Sequence, residues 1–432
     1  MKRLFTILFS IALILPLYSQ EEAGKKELNF TRHSFEIGFD MGVWLDNGLA
    51  PFSDIFRKKI EIDLPKLAQN ITEDGAGVNF GLSSHFFINI KDITLAAGLW
   101  DFGFTVGIDG GVGMNIPKSL FTLIAKGNNE QRDSSGKIGA SGGIFTEYGL
   151  KGSAKYQVQG RTLYVGIKPA IFIPAAYIPS NTGISYHLYT ERPKVDGANN
   201  IIIDSTGKPV KEEGLFLDTS GGINVYTPTS LEKADASRFL FGPGGFDLSL
   251  EGEYALFPFL DIGGNVTHIP FAAAALTNLM KLKLLDEYED DFTFELSGTT
   301  LTTPELNFTP VYSKAKKPVH RPLQFDFYAC YLPLKSELLV IRPNIGFTVN
   351  INKGDEKGYF NAGLEALLNL KNIFTFYIGS GYKEEVWRQK AGLGINLRAF
   401  ELDIEAALRD PTFDGCFKGR CLDFNIGLTF GW

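Results

Sequence analysis

The sequence predicts an all-β fold, a transmembrane antiparallel β-barrel of about 14–16 strands with short helical plug or loop segments. Three observations predict it. Apolar and polar or small residues alternate with a period of two along most of the chain. Long and short connections alternate between these segments. The composition, with 36 Phe, 16 Tyr and 47 Gly, favours strands and turns over helices.

The N-terminal segment 1–19 has the organisation of a secretory signal peptide. Lys2 and Arg3 form a positive region, an apolar run from Leu4 to Leu17 follows, and an imperfect small-residue cleavage site precedes Gln20. A signal anchor is the alternative, but the apolar run is short for a bilayer span. Past residue 20 there is no long uninterrupted apolar stretch, which excludes a helical membrane protein. Residues 20–432 are therefore interpreted as one barrel domain.

The last strand shows the alternation most clearly. Its apolar face consists of Leu422, Phe424, Ile426, Leu428, Phe430 and Trp432, and Asp423, Asn425, Gly427, Thr429 and Gly431 lie between them. Such a strand has one face in lipid and the other in water. A last strand that ends in an aromatic residue resembles the signal that barrel-assembly machinery reads, so Phe430 and Trp432 are the predicted assembly signal. Persistence of the pattern to the C-terminus favours a barrel over a soluble sandwich.

The connections predict which end of the barrel faces outward. Short ones are expected at Lys91-Asp92, Gln159-Gly160, 257–259, 333–335, Lys371-Asn372 and around Arg398. Longer ones are expected at 114–140, 176–245, 269–289, 313–320, 352–357, 381–385 and 409–420. Outer-membrane barrels have short periplasmic turns and long extracellular loops, which makes 180–245 a long extracellular loop.

Two segments break the strand pattern. Segment 46–72 contains the apolar residues Leu49, Pro51, Phe52, Ile55 and Phe56, with Ser53 as a helix N-cap and a short helix over 54–60. Ala272 to Leu285 carries leucines on one helical stripe and is predicted as a second short helix. Either segment has room to plug the lumen of a wide barrel, and ordinary ordered loops are the alternative.

Charge, cysteines and motifs bound the chemistry. The net charge of −7 argues against nucleic acid as a partner. Cys416 and Cys421 are predicted to form a local disulfide in an oxidising compartment, and Cys330 to be a free thiol. No phosphate-binding, dinucleotide, metalloprotease or nucleophile-elbow motif is present, and the five histidines are scattered. We therefore predict no enzyme activity, no catalytic residue, no metal and no cofactor.

The C-terminal third resembles the closing hairpins of FadL-like outer-membrane proteins of spirochaetes and Bacteroidetes. The resemblance is carried by Gly379 to Tyr382 and by Arg388 to Asp403. It implies a plugged barrel of the long-chain fatty acid transporter type, with outer-membrane lipid and a hydrophobic ligand as partners. The Asn-Pro-Ala motif of the family's N-terminal hatch is missing, and its nearest approximation is 47–51. No ligand-binding residue is carried over.

The sequence thus predicts a cell outer membrane barrel that takes up hydrophobic small molecules such as long-chain fatty acids. Two alternatives stay open: a general diffusion porin, and a non-transport barrel with a structural, secretion-associated or adhesive role. The predicted lumen faces have no rings of Arg or Lys, which favours uptake of hydrophobic molecules over an anion pore.

Overall fold

The computed structural model describes residues 33–48, 71, 75–95, 98–120, 122, 133–197, 200–230, 236–284, 308–334 and 338–432. Eighteen strand segments form one antiparallel sheet within them. The first nine are β1 Phe35–Asn47, β2 Ala76–Leu95, β3 Gly98–Ile116, β4 Asp133–Val158, β5 Arg161–Ile178, β6 Gly183–Pro193, β7 Lys211–Thr227, β8 Gly245–Phe257 and β9 Leu260–Ala272. The others are β10 Ala274–Leu284, β11 Phe308–Val319, β12 Leu323–Tyr331, β13 Leu339–Asn350, β14 Lys357–Leu370, β15 Phe374–Lys383, β16 Val386–Asn396, β17 Phe400–Asp410 and β18 Cys421–Gly431.

The sheet closes on itself. Following the ladder pairings round the barrel gives the ring β1, β2, β3, β4, β5, β8, β9, β12, β13, β14, β15, β16, β17 and β18, fourteen strands in all. The last strand pairs with the first, from Asp46 with Cys421 to Glu36 with Gly431. Every strand of this ring has a ladder partner on each side, which is what a sheet needs to cross a bilayer. The predicted closed barrel is confirmed.

The remaining four strands extend the wall at the end of the barrel opposite the tight turns. Strand β6 pairs with the outer part of β4, β7 pairs with β6, and β10 pairs with both β7 and β11. Each of the four strands is next to a ring strand in sequence. Strand β6 follows β5, β7 precedes β8, β10 follows β9, and β11 precedes β12. The long loop predicted over 180–245 is therefore largely a hairpin of β6 and β7.

Burial alternates along the ring strands as the sequence predicts. Apolar side chains point outward and stay exposed, for example Phe104, Ile171, Phe327, Leu364 and Ile378. Polar and charged side chains between them point inward and are buried or half-buried. An outward apolar belt on a closed barrel is stable only in lipid. The chain is an outer-membrane β-barrel.

The short turns match the sequence analysis at most positions. Left-handed backbone at Gln159 (φ 53°), Lys371 (φ 54°) and Arg398 (φ 66°) marks tight turns between β4 and β5, β14 and β15, and β16 and β17. The turn predicted at Lys91-Asp92 is wrong. The pairing of β2 with β3 continues to Leu95 after a register shift between Ile90 and Ile93, so Asp92 (φ 59°) lies in a bulge.

The helix predicted over 272–285 is also wrong. Residues 274–284 form β10, which is hydrogen-bonded to β7 on one side and to β11 on the other. Ladder pairing on both sides outweighs the helical spacing of the leucines. Likewise, 313–320 was predicted as a loop, but β11 extends to Val319. The described helices α1 (Ala236–Phe241) and α2 (Phe413–Cys416) are short. No described helix has the length and apolarity needed to cross a membrane.

Candidate functional site

The inside of the barrel is filled by ion pairs where β4, β5, β8 and the junction of β11 and β12 face one another. Arg321, only 4% exposed, donates from Nε and Nη2 to the two carboxylate oxygens of Asp247, each at 2.7 Å. Its third nitrogen, Nη1, donates to Glu147. Lys168 Nζ also binds Glu147, at 2.7 Å. Two cations thus neutralise two carboxylates, which is the arrangement that buried charges require.

Two histidines lie in the same layer. His85 Nε2 lies 2.6 Å from Asp109 Oδ2. His268 Nδ1 lies 3.0 Å from the carbonyl oxygen of Pro322, next to Arg321. His268 has left-handed backbone (φ 58°), within the stretch where the pairing of β8 and β9 shifts register. Histidines predicted as loop or interface residues are therefore part of the lumen wall here.

A second set of ion pairs lines the wall from β14 to β18. Arg388 Nε binds Asp423 Oδ2 at 2.8 Å, and Arg388 Nη2 binds Glu405. Lys390 Nζ pairs with Glu365 and lies 3.6 Å from Glu405. The sequence predicts a lumen without the rings of Arg and Lys that an anion pore uses. Arg388 and Lys390 do line the lumen, but acidic neighbours compensate both, so these described cations form no uncompensated positive ring that would select anions.

An apolar cluster lies beside the Arg321 ion pairs. It contains Phe145, Phe172, Tyr177, Ala274, Leu276 and Val319, with Tyr226 packed against it. The members come from β4, β5, β10 and β11. The Arg321 guanidinium lies 5.2 Å from the centre of the Phe172 ring, and this contact joins the cluster to the ion pairs. Phe172, Ala274, Leu276 and Val319 have 0–1% of their surface exposed, so this part of the barrel is packed without water.

The loop 351–356 between β13 and β14 folds onto the same region. Asp355 accepts hydrogen bonds from the Tyr177 hydroxyl at 2.6 Å, from the Ser180 backbone nitrogen at 3.0 Å and from Asn350 Nδ2 at 3.0 Å. Asn352 bonds both ways with the backbone of His320, at 2.7 and 2.8 Å. We call these contacts of loop 351–356 the Asp355 latch. It ties the hairpin of β13 and β14 to the junctions of β5 with β6 and of β11 with β12.

The barrel wall is interrupted next to the apolar cluster. Strand β5 pairs with β8 up to Phe172 and meets β7 again only at Tyr177. Among the described residues, positions 173–176 of β5 have no strand partner on that side. The chain between β7 and β8 carries α1, which packs on the outer face of the wall at this point. Thr146 Oγ1 donates to the carbonyl oxygen of Phe239 at 3.2 Å, and the Tyr148 hydroxyl to that of Leu240 at 3.0 Å.

Alternation along β4 shows that α1 lies outside the barrel. Glu147 points into the lumen, so Thr146 and Tyr148, its neighbours, point outward. Phe239 is buried (5% exposed) against this face, whereas Phe241 is 73% exposed. Helix α1 therefore covers the interruption with one phenylalanine turned to the wall and one turned to lipid.

The structure describes some of the predicted site residues and leaves others outside the described ranges. Leu49, Pro51, Phe52, Ile55 and Phe56 lie outside the described residues, as do most of segment 46–72 and the acidic run 286–291. The predicted disulfide is not present, because Cys416 and Cys421 are both free and buried. Cys416 lies in α2 with its Sγ near the carbonyl oxygens of Trp387 (3.4 Å) and Thr412 (3.7 Å), whereas Cys421 begins β18 opposite Asp46.

Phe430 and Trp432, the predicted assembly signal, lie on the outward face of β18 and just after it. Trp432 packs on Phe35 with ring centroids 4.8 Å apart.

The sequence analysis did not single out Arg321 or Lys168. Lys168 is a lone charge in an otherwise apolar stretch, whereas Arg321 ends a basic stretch that also contains Lys314, Lys316 and Lys317. The partners of Arg321 are 74 and 174 residues away. A charged residue within a strand that has an apolar outer face is a signal that could have marked Lys168.

Comparison with known proteins gives structural matches only. No protein-family model and no curated protein sequence matches the chain. Among solved structures, the Ralstonia pickettii toluene transporter TbuX is 10% identical, with a TM-score of 0.47, covering 93% of this chain and 90% of that one. A mutant of the monoaromatic hydrocarbon channel TodX is 9% identical, with a TM-score of 0.49 over 94% and 92%. A Pseudomonas aeruginosa FadL homologue is 8% identical, with a TM-score of 0.41 over 92% and 89%. One of these matches is a FadL homologue, the family that the closing hairpins resemble.

Proposed function

We propose that this barrel is a gated channel for the uptake of hydrophobic small molecules, with long-chain fatty acids as the first class to test. The observation that carries the proposal is the buried apolar cluster around Phe172 and Leu276, which lies beside an interruption of the barrel wall. A water-filled porin lines its lumen with polar side chains, whereas an apolar cluster of this kind suits an apolar solute. A hydrophobic solute that replaces these contacts gains about 0.8 kcal/mol for each methylene group buried.

Charge compensation supports the same function. The Arg321 and Arg388 ion pairs leave no described cation or carboxylate ring that would favour one sign of solute. The Asp355 latch would close the extracellular end of the barrel. Because hydrogen bonds alone hold it, it could also open. The interruption of β5 under α1 offers an apolar solute a way between the lumen and the lipid that avoids the periplasmic half of the barrel.

Planar-bilayer conductance combined with fatty-acid binding tests the proposal. We expect no large ohmic conductance from purified protein and saturable binding of radiolabelled oleate. Replacing Phe239 by Ala removes the side chain that seals the wall and should raise oleate uptake into proteoliposomes, whereas Phe241→Ala, on the lipid side of α1, should not. A large steady conductance from the unaltered protein would instead favour the general diffusion porin, and neither conductance nor binding would favour a non-transport barrel.

We also propose that residues 1–19 are removed on export and that residues 46–72 contribute to the plug. Support comes from the signal-peptide pattern and from the apolar side chains of 49–56. Mass spectrometry of the membrane-inserted protein should give an N-terminus at Gln20. Replacing 52–60 by a Gly-Ser linker of equal length should raise conductance if this segment closes the lumen.

A further inference from the structure

The lipid-facing wall from β14 to β18 contains a groove of about 740 Å³. Its floor is a row of side chains in register across the strands, where Ile378 pairs with Ala391 and Ala391 with Ala406. The alanines leave a depression because their neighbours in the rows on either side are larger. The row on the periplasmic side contains Phe376, Leu393 and Ile404. The groove walls include Leu364, Phe417, Leu422 and Phe424.

The next row toward the extracellular side is unusual for a lipid-facing surface because it is partly polar. Ser380 pairs with Gln389, and both line the groove. The Nε2 atom of Gln389 is buried and has no hydrogen-bond partner among the described residues. Buried amide donors in folded proteins are normally hydrogen-bonded, and a rotation of the Gln389 side chain toward the groove brings this donor to an acceptor there.

Aromatic side chains place this row just below the membrane surface. Tyr382 and Trp387 follow Ser380 and Gln389 on the outward face, with ring centroids 5.2 Å apart. Trp387 contacts Phe413 at 5.4 Å, and Phe413 contacts Phe417 at 5.8 Å. Aromatic girdles of this kind mark the boundary between hydrocarbon and headgroups. Gln389 and Ser380 therefore lie at the depth where a lipid's acyl chains join its polar part.

We propose that this groove binds one lipid molecule of the outer leaflet. An acyl chain lies on Ala391 and Ala406 between the larger side chains, and the carbonyl oxygen of its ester or amide linkage accepts a hydrogen bond from Gln389 Nε2. A second copy of the chain fits the groove less well. A two-fold contact between identical barrels would place this concave surface against itself and leave both grooves empty.

Native mass spectrometry of the intact barrel tests the site. The probe is 1-palmitoyl-2-oleoyl-phosphatidylglycerol added to delipidated protein in detergent. We expect one tightly held lipid per barrel. Ala391→Phe with Ala406→Phe fills the floor and should abolish that stoichiometric binding. Gln389→Leu keeps the shape but loses the donor, and should weaken binding about fivefold to tenfold.

Ala329→Phe is the matched control, because Ala329 lies on β12 between the exposed Phe327 and Tyr331, outside the groove. Heat-modifiable migration shows whether each variant has assembled, and an unassembled double variant is replaced by Ala391→Leu alone with the same expectation of lost binding. Equal lipid retention by the control and the filled variant would overturn the proposal. So would a dimer of the unaltered protein in light scattering that the filled variant breaks.

Discussion

The Tyr177 hydroxyl donates a 2.6 Å hydrogen bond to Oδ2 of Asp355, which lies 178 residues further along the chain. Tyr177 belongs to the buried apolar cluster inside the barrel, and Asp355 belongs to the loop between β13 and β14. One hydrogen bond therefore couples the Asp355 latch to the packing of the lumen. Any motion of loop 351–356 away from Ser180 has to break this contact as well.

If the barrel is the proposed channel, removing the latch should open it. Asp355→Ala deletes an acceptor shared by Tyr177, Ser180 and Asn350. After allowance for solvent exposure we expect a shift of about 1.4 kcal/mol toward the open state, or roughly tenfold in its population. Single-channel recording should show brief openings about ten times more often. Asp204→Ala is the control, because Asp204 bonds only residues of its own loop, Thr206 and Lys208. Equal opening frequencies for both variants would rule out a latch.

Breaking the buried ion pairs should destabilise the barrel. Arg321→Ala leaves Glu147 and Asp247 buried, with Lys168 as the remaining partner of Glu147. We expect a loss of about 3–5 kcal/mol in the free energy of unfolding, measured by urea titration in lipid vesicles. The neutral combination of Arg321→Met, Lys168→Met, Glu147→Gln and Asp247→Asn should lose much less. If the single variant is as stable as the unaltered protein, the four groups do not form a buried network.

The barrel could be predicted from sequence because its signal is local. Alternation in the last strand, Leu422 to Trp432, needs only the neighbouring residues to be recognised, and the structure places Phe424 and Phe430 outward as expected. The constriction could not be predicted in the same way. Arg321 meets Glu147 across 174 residues, and the helical spacing of leucines in 276–285 gave the wrong element because β7 and β11 bond β10 on both sides. Contacts between residues far apart in the chain determine both features, and a single sequence does not show which distant residues meet.

The cysteines provide a test of the structure of loop 411–420 between β17 and β18. Burial, reinforced by the nearby Asp410 carboxylate, raises the pKa of the Cys416 thiol to about 11. A raised thiol pKa means that the neutral form persists below pH 11, so at pH 8 only roughly one molecule in a thousand carries the reactive thiolate. Iodoacetamide should therefore label native Cys416 slowly, with a rate that rises about tenfold per pH unit between pH 8 and 10. Unfolding in urea without reductant should expose three reactive thiols. Detection of a single thiol would instead show that Cys416 and Cys421 form the disulfide predicted from the sequence.

Topology can be checked with lysines at opposite ends of the barrel. Lys208 lies at the exposed tip between β6 and β7, and Lys371 lies in the turn between β14 and β15. On intact cells, a membrane-impermeant amine reagent should modify Lys208 and spare Lys371. Both should react once the cells are lysed. Modification of Lys371 on intact cells would show that the barrel has the opposite orientation, with the turn between β14 and β15 outside the cell.

The C-terminal residue should be needed for closure of the barrel. The Trp432 nitrogen donates to the carbonyl oxygen of Phe35 at 3.1 Å, and Ser34 and Phe35 donate back to the Trp432 carbonyl oxygen at 3.1 and 3.2 Å. The two rings pack at 4.8 Å, so Trp432 joins the last strand to the first through both backbone and side chain. Trp432→Ala removes only the ring contact and should slow assembly, whereas deletion of 430–432 removes the bonds to β1 as well. We expect the deleted protein to accumulate unassembled in the periplasm, without heat-modifiable migration. Phe413→Ala, which removes an exposed aromatic side chain at the opposite end, should assemble normally. Normal migration of the deleted protein would show that the ring closes without its last residues.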